Sequence, residues 1–228
     1  MERINKYLAK CDLGSRRKVE RFIQNGQIFI DGRKASLTDM VSSNNIIILD
    51  DKPLLPKKFE YVLINKPTGY VTTLKDDHAK QIITDLLPKD LKHLKPVGRL
   101  DKETSGLILL TNDGIMANKL THPRYEKEKE YEVKTKPKID KSVLEKMLGG
   151  FELEDGFIKP KKIELRNGKI NITISEGRNR LIRRMFAYFG FEVIELKRTR
   201  ISFLKLGDLR EGELRYLTEK EICKLKDE

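Results

Sequence analysis

Residues 161–175 leave the chain little choice of local structure. Asn167-Gly168 is a strong two-residue turn signal, and Ile170, Ile172 and Ile174 alternate with polar residues after it. A period of two puts the isoleucines on one face, which predicts an antiparallel hairpin with that face buried. Strand-like runs also occur at 61–64, 107–110, 131–133 and 193–196. Helical spacing recurs around 79–87, 113–121, 140–148, 179–189 and 218–226. Hairpins mixed with helices, without regular βαβ alternation, predict an α+β fold on a mixed, largely antiparallel sheet with flanking helices.

The composition shifts once. Residues 49–58 carry Pro53, Pro56 and a run of charges, and are expected to link a unit at 1–48 to a larger one at 59–228. In the first unit, Ile4, Tyr7 and Leu8 share one helix face. Val19, Phe22 and Ile23 share that of a second helix, capped by Ser15 and stopped at Asn25-Gly26. Strands are expected at 27–30 and 46–49, with an Asp31-Gly32 turn. Arg16-Arg17-Lys18 occupy the first turn of the second helix, where cations oppose the helix dipole. Residues placed against local stability suit an external anion, and a phosphate backbone fits.

The 228 residues hold 47 Lys and Arg against 35 Asp and Glu, a net charge of +12 that favours polyanionic partners. No apolar stretch is long enough to span a membrane, and no signal peptide is evident at the N-terminus. Cys11 and Cys223 lie near opposite ends and form no metal-binding spacing with the three histidines, which fits a reducing cytosol. Phosphate-loop, dinucleotide, hydrolase-elbow and zinc-deaminase motifs do not occur. One polar segment stands out, residues 96–106, which run straight into the apolar strand 107–110. A polar loop on a buried strand is a rigid support for a reactive group. By spacing alone Asp101 reads as a turn aspartate, and Asp101 with Glu103 as a weak metal pair.

Several motifs, in order, resemble those of the RNA pseudouridine synthases. Gly98-Arg99-Leu100-Asp101-Lys102-Glu103-Thr104-Ser105-Gly106-Leu107 is similar to their catalytic motif, and Asn65-Lys66-Pro67-Thr68-Gly69 to their first strand and turn. Lys129-Glu130-Tyr131 resembles the tyrosine motif, and residues 176–186 the basic motif. The N-terminal pattern, from Arg3-Ile4-Asn5-Lys6-Tyr7-Leu8 to Ile30-Asp31-Gly32, resembles an S4-like RNA-binding domain. That combination points to the RsuA/RluB/RluE/RluF group. Leu181 stands where relatives usually have Gln or Glu, and Arg180 where some have His.

The resemblance implies isomerisation of a uridine in ribosomal RNA, with 23S favoured over 16S. The glycosidic bond breaks, the base turns, and C5 joins C1′. Neither cofactor nor metal is implied. Asp101 would attack C1′ or remove a proton from C2′, with Arg183 as its guanidinium partner. Tyr131 would stack on the uracil or help remove the C5 proton. Arg99 would help hold a flipped nucleotide, and Ile182 would pack the site. Arg16, Arg17, Lys18, Lys66, Arg178, Arg180 and Arg184 are expected on RNA. The expected state is a cytoplasmic monomer partnered by ribosomal RNA or an assembly intermediate. The competing readings are a ribosome-assembly factor that binds RNA without chemistry, and a metal-dependent nuclease built on Asp101 and Glu103.

Overall fold

The computed structural model describes residues 1–11, 13, 16–75, 79–166 and 168–227, without the side chain of Arg16. The expected cap Ser15 and the turn residue Asn167 lie outside the described residues. The chain divides into two units, Met1–Glu60 and Tyr61–Glu228.

The smaller unit runs β1 (Glu2–Arg3), α1 (Ile4–Lys10), α2 (Arg16–Gln24), β2 (Ile28–Ile30), β3 (Arg33–Lys34), β4 (Met40–Val41), β5 (Ile47–Leu49) and β6 (Lys52–Pro53). Strands β2 and β3 meet across Asp31 and Gly32, whose φ values of 48° and 85° are those a two-residue hairpin turn demands. Ile4, Leu8, Val19, Ile28 and Val41 are buried in one apolar cluster. Arg17 and Lys18 are exposed in the acid-free first turn of α2. Part of the expected 49–58 linker is strand instead. Ile48 pairs with Pro53 and Leu49 with Lys52, because a proline fits an edge strand that needs no N–H on its open side.

The larger unit contains β7 (Tyr61–Lys66), β8 (Lys95–Pro96), β9 (Ser105–Thr111), α3 (Gly114–Thr121), β10 (Lys129–Lys136), α4 (Lys141–Gly149), β11 (Phe151–Leu153), β12 (Gly156–Ile158), β13 (Lys162–Arg166), β14 (Lys169–Ile174), α5 (Leu181–Tyr188), β15 (Glu192–Ile201), β16 (Leu204–Lys205), β17 (Leu214–Tyr216) and α6 (Glu219–Asp227). Its nine-stranded sheet has the order β13-β14-β10-β15-β9-β7-β17, with β16 on β15 and β8 on β9. Among the described strands only β9 and β15 run parallel, so the sheet is mixed and largely antiparallel, and the fold is α+β.

Every residue of β7 and β9 is buried, as central strands covered on both faces require. The alternating isoleucines of β14 join this core, as do Leu181, Ile182, Met185 and Phe186 of α5. Around 79–87 the expected helix is only a 3-10 turn, Ile83–Leu86, which Pro88 cuts short. The hairpin β11–β12 was not legible, because three-residue strands show no periodicity.

Candidate active site

Strand β9 is the rigid base on which the site is built. The loop entering it is pinned at successive points. Val97 N–H donates to Leu109 O (2.8 Å), and Gly69 N–H to Lys102 O (2.8 Å). The Thr72 hydroxyl donates to Leu100 O (2.7 Å) and accepts from Leu100 N–H (3.2 Å). Leu100 turns into the core, which leaves the next side chain, Asp101, facing outward with about a third of it (35%) open to solvent. Thr72 is a positioning residue that sequence reasoning missed, because nothing local ties it to a loop almost thirty residues away.

Asp101 stands at the rim of a cavity of about 470 Å³, within the range of small-ligand pockets. The helix end at Leu120 and Thr121, strand β10 at Lys129 and Tyr131, strand β15 at Leu196 and Arg198, and the approach to α5 form its walls. Arg99, Lys129, Arg178, Arg180, Arg183 and Arg198 line it, against Asp101 as the only lining carboxylate among the described residues. A polyanion is the partner such a field selects.

The structure brings together Asp101, Tyr131, Arg183, Arg99, Arg178, Arg180 and Ile182. Tyr131 is buried, and its hydroxyl has no hydrogen-bond partner among the described residues. Arg180 has φ of 47° at the start of α5, a left-handed conformation that is strained for a side chain of this kind. It places its Nη1 3.9 Å from Asp101 and 3.2 Å from Glu103. Among the described residues, the guanidinium within ion-pair distance of Asp101 is that of Arg180. Arg183, expected as the partner of Asp101, donates to Val193 O (2.7 Å) and Glu103 O (3.1 Å), backbone carbonyls of β15 and of the loop that carries Asp101. Glu103, with Arg180 beside it and a backbone N–H on its carboxylate, titrates below the ordinary range. Among the described residues no group of three His, Cys, Asp or Glu is placed to hold a metal ion.

Two other expectations change. Lys66 is fully buried, and its ammonium donates to Pro67 O (2.8 Å) and Tyr70 O (2.9 Å), so it cannot meet a phosphate here. Burial pulls its pKa down to about 8, against the upward pull of Glu103, Asp101 and Glu211. Arg184 lies outside the cavity lining and grips Asp155 with two bonds of 2.7 Å. Arg178 shares that carboxylate at 2.9 Å and also donates to Glu176 and to carbonyls of the β11–β12 turn. Pairing with these arginines holds Asp155 down at about 2. Arg17 and Lys18 belong to the smaller unit, and the Arg16 side chain lies outside the described residues.

Lys129 and Arg198 received no role from the sequence. Lys129 donates to Lys127 O (3.0 Å), and burial with Arg198 nearby lowers its pKa to about 8. Arg198 is almost wholly buried and donates from Nε to Leu107 O (2.8 Å). Lys129 and Tyr131 share a strand face by their spacing, a signal the sequence held. Arg198 joins them only through cross-strand register, which it did not.

The larger unit matches the family described as RNA pseudouridylate synthase over residues 60–188. The chain is 38% identical to ribosomal large subunit pseudouridine synthase B of Bacillus subtilis, over 99% of its length and 96% of the relative's. It is 39% identical to an uncharacterized RNA pseudouridine synthase of Aquifex aeolicus, over 98% and 93%. It is 34% identical to the dual-specificity RNA pseudouridine synthase RluF of Escherichia coli, over 98% and 78%. A crystal structure of a pseudouridylate synthase superposes with a TM-score of 0.71 at 32% identity, covering 99% of this chain and all of the other. With a matching family model over more than half its length and relatives aligned nearly end to end, this chain belongs to the RNA pseudouridine synthase family and is an enzyme of that class.

Proposed function

We propose that the enzyme converts a uridine of ribosomal RNA, 23S in preference to 16S, to pseudouridine, with Asp101 as its catalytic carboxylate. The observation that carries this reading is the outward Asp101, held by a loop pinned at Val97, Leu100 and Lys102, at the rim of a cationic cavity. Positive character develops at C1′ as the N1–C1′ bond breaks, and a fixed carboxylate is suited to meet it. In one route the carboxylate bonds to C1′ as the bond pair leaves with the base. In the other it takes the C2′ proton and a glycal forms. C5 then bonds to C1′, displacing the Asp101 carboxylate in the first route and with that proton returned to C2′ in the second; the C5 proton departs and N1 gains one. The reaction is redox-neutral and loses no group, so its balance calls for no cofactor.

Tyr131, buried beside the cavity with an unpartnered hydroxyl, supports the base and lies ready for the proton at C5. Arg180 orients Asp101, while Arg183 fixes the loop by its carbonyl at Glu103. The target base must leave its stack to reach this depth, and Arg99 and Arg178 at the cavity wall suit its flanking phosphates. The names of the relatives support a large-subunit target. Residues 1–48 act as an S4-like RNA-binding unit whose α2 presents Arg17 and Lys18 to the backbone.

Unmodified 16S and 23S transcripts, treated with wild type or Asp101→Asn in EDTA, test this by carbodiimide mapping of pseudouridine. One new 23S site, absent with the variant, is expected. If wild type modifies neither transcript nor assembly particles, and both proteins bind RNA equally, the reading is wrong and an assembly factor without chemistry takes its place.

A further inference from the structure

Two cations on the cavity floor remain unaccounted for by the roles above. Arg198 is 2% exposed, and its Nη2 is buried without a hydrogen-bond partner. Lys129 faces the same cavity. Among the described residues neither has a carboxylate within ion-pair distance. Several other arginines of this unit do have one, as with Arg215 on Glu221, Arg200 on Glu128 and Glu130, and Arg178 and Arg184 on Asp155. Placing two like charges side by side in a half-dry pocket is costly unless an anion arrives there.

The strand register shows how they come to share the floor. Tyr131 faces Arg198 across β10 and β15, Glu130 faces Arg200, and Lys129 faces Ile201. Thr199 is the extra residue of a bulge at this step. Without it, Arg198 and Ile201, three apart on one strand, would point to opposite faces. With it, both line the cavity beside Lys129 and Tyr131. The Nε bond to Leu107 O fixes the guanidinium plane and leaves the far nitrogen for a ligand.

Resting on the function proposed above, we infer that Arg198 and Lys129 form an electrostatic seat for the uracil as it leaves C1′. When the N1–C1′ bond breaks, its electron pair goes to the base, while C1′ is taken by the Asp101 carboxylate or relieved by loss of the C2′ proton to it. The base then carries one negative charge, spread over N1 and the two carbonyl oxygens, until C5 closes on C1′. That charge exists only along the reaction path, so preorganised donors aimed at it act on rate rather than on affinity. Asp101 governs the sugar half of the bond, and this pair governs the base half.

The test compares Lys129→Met, Arg198→Met and Arg198→Lys with wild type. It measures single-turnover pseudouridine formation and RNA dissociation constants on the same transcript. Lys129→Met and Arg198→Met are expected to lower the rate at saturating RNA on the order of 10²–10³-fold while Kd changes less than about threefold. Arg198→Lys, which keeps the charge and loses the fork, should recover about a tenth or more of the wild-type rate. In RNA carrying 5-fluorouridine the base leaves more readily as an anion, so the deficits of the two methionine variants, read as loss of the target nucleotide, should shrink. A purely structural role would leave them unchanged, and that result overturns the inference. Lys129→Met gives up only the bond to Lys127 O, so wild-type turnover in it also overturns the inference, whatever becomes of Arg198→Met. A loss seen in Kd with a flatter salt dependence makes the pair a phosphate seat instead. An inactive wild type, indistinguishable from Asp101→Asn, overturns the parent reading and this one together. An active wild type with unaffected variants overturns this one alone.

Discussion

Replacing Lys66 with methionine should change how stability depends on pH, in a direction set by burial. The folded ammonium is held at about 8, against 10.5 for a solvated lysine. That gap corresponds to roughly 3 kcal/mol of penalty for keeping the buried group charged. Below pH 8 both states hold the proton, and the folded state bears the whole penalty. Between about pH 8 and 10.5 the folded lysine is neutral while the unfolded one stays protonated, so stability rises with pH. Roughly 1.5 kcal/mol should be regained between pH 7 and 9, and about 2.5 by pH 10. Lys66→Met lacks this proton, and the carbonyls of Pro67 and Tyr70 that lose their donor add an offset independent of pH. Lys129, which also titrates near 8, is common to both proteins and cancels. Urea unfolding of the pair at pH 7, 8, 9 and 10 gives the difference directly. Wild type should gain on the variant as pH rises. A flat difference, or one of opposite slope, would refute a buried charged lysine and return Lys66 to the surface.

Other substitutions report on the frame around the site. A methyl group at Gly106, where φ is 108°, would lie 2.3 Å from Arg198 O and 2.6 Å from its N, so Gly106→Ala should cost at least ~3 kcal/mol in denaturant unfolding. Asp113 caps α3 through the N–H groups of Ile115 and Met116 and accepts from the buried Tyr61 hydroxyl. Asp113→Ala should therefore cost about 2–4 kcal/mol, and less when measured in Tyr61→Phe. Asp155→Asn removes the carboxylate that holds Arg184, while Arg178 keeps Glu176, so RNA affinity should become more salt-dependent, by about 0.7–0.9 in log–log slope for the added phosphate contact. An unchanged slope in filter binding would show that Arg184 does not reach RNA.

The sequence revealed the elements wherever periodicity was strong. The β14 isoleucines and the apolar face of α5 fall as their spacing demands. Asp101 and Tyr131 could be singled out because their neighbours form contiguous motifs. Partnerships were harder to read. Arg183 and Arg180 are three residues apart, and their spacing did not tell that Arg180, with its left-handed backbone, comes within 3.9 Å of Asp101. Lys66 is a charged residue next to a proline, which reads as surface until β7 proves buried along its whole length. Thr72 and Arg198 depend on contacts across long sequence separations, which local pattern does not encode.

The parallel pairing of β9 with β15, Ser105 on Lys197 and Gly106 on Arg198, joins residues about 90 positions apart. Closing so long a loop is entropically expensive and comes late, after local hairpins have formed. On a translating ribosome the loop that carries Asp101 therefore waits, without its floor, until β15 has emerged, whereas the first 60 residues are free to fold long before. A nascent chain of this enzyme would acquire its small unit first and its chemistry last, so a truncated product ending before residue 192 would carry Asp101 and still be inert.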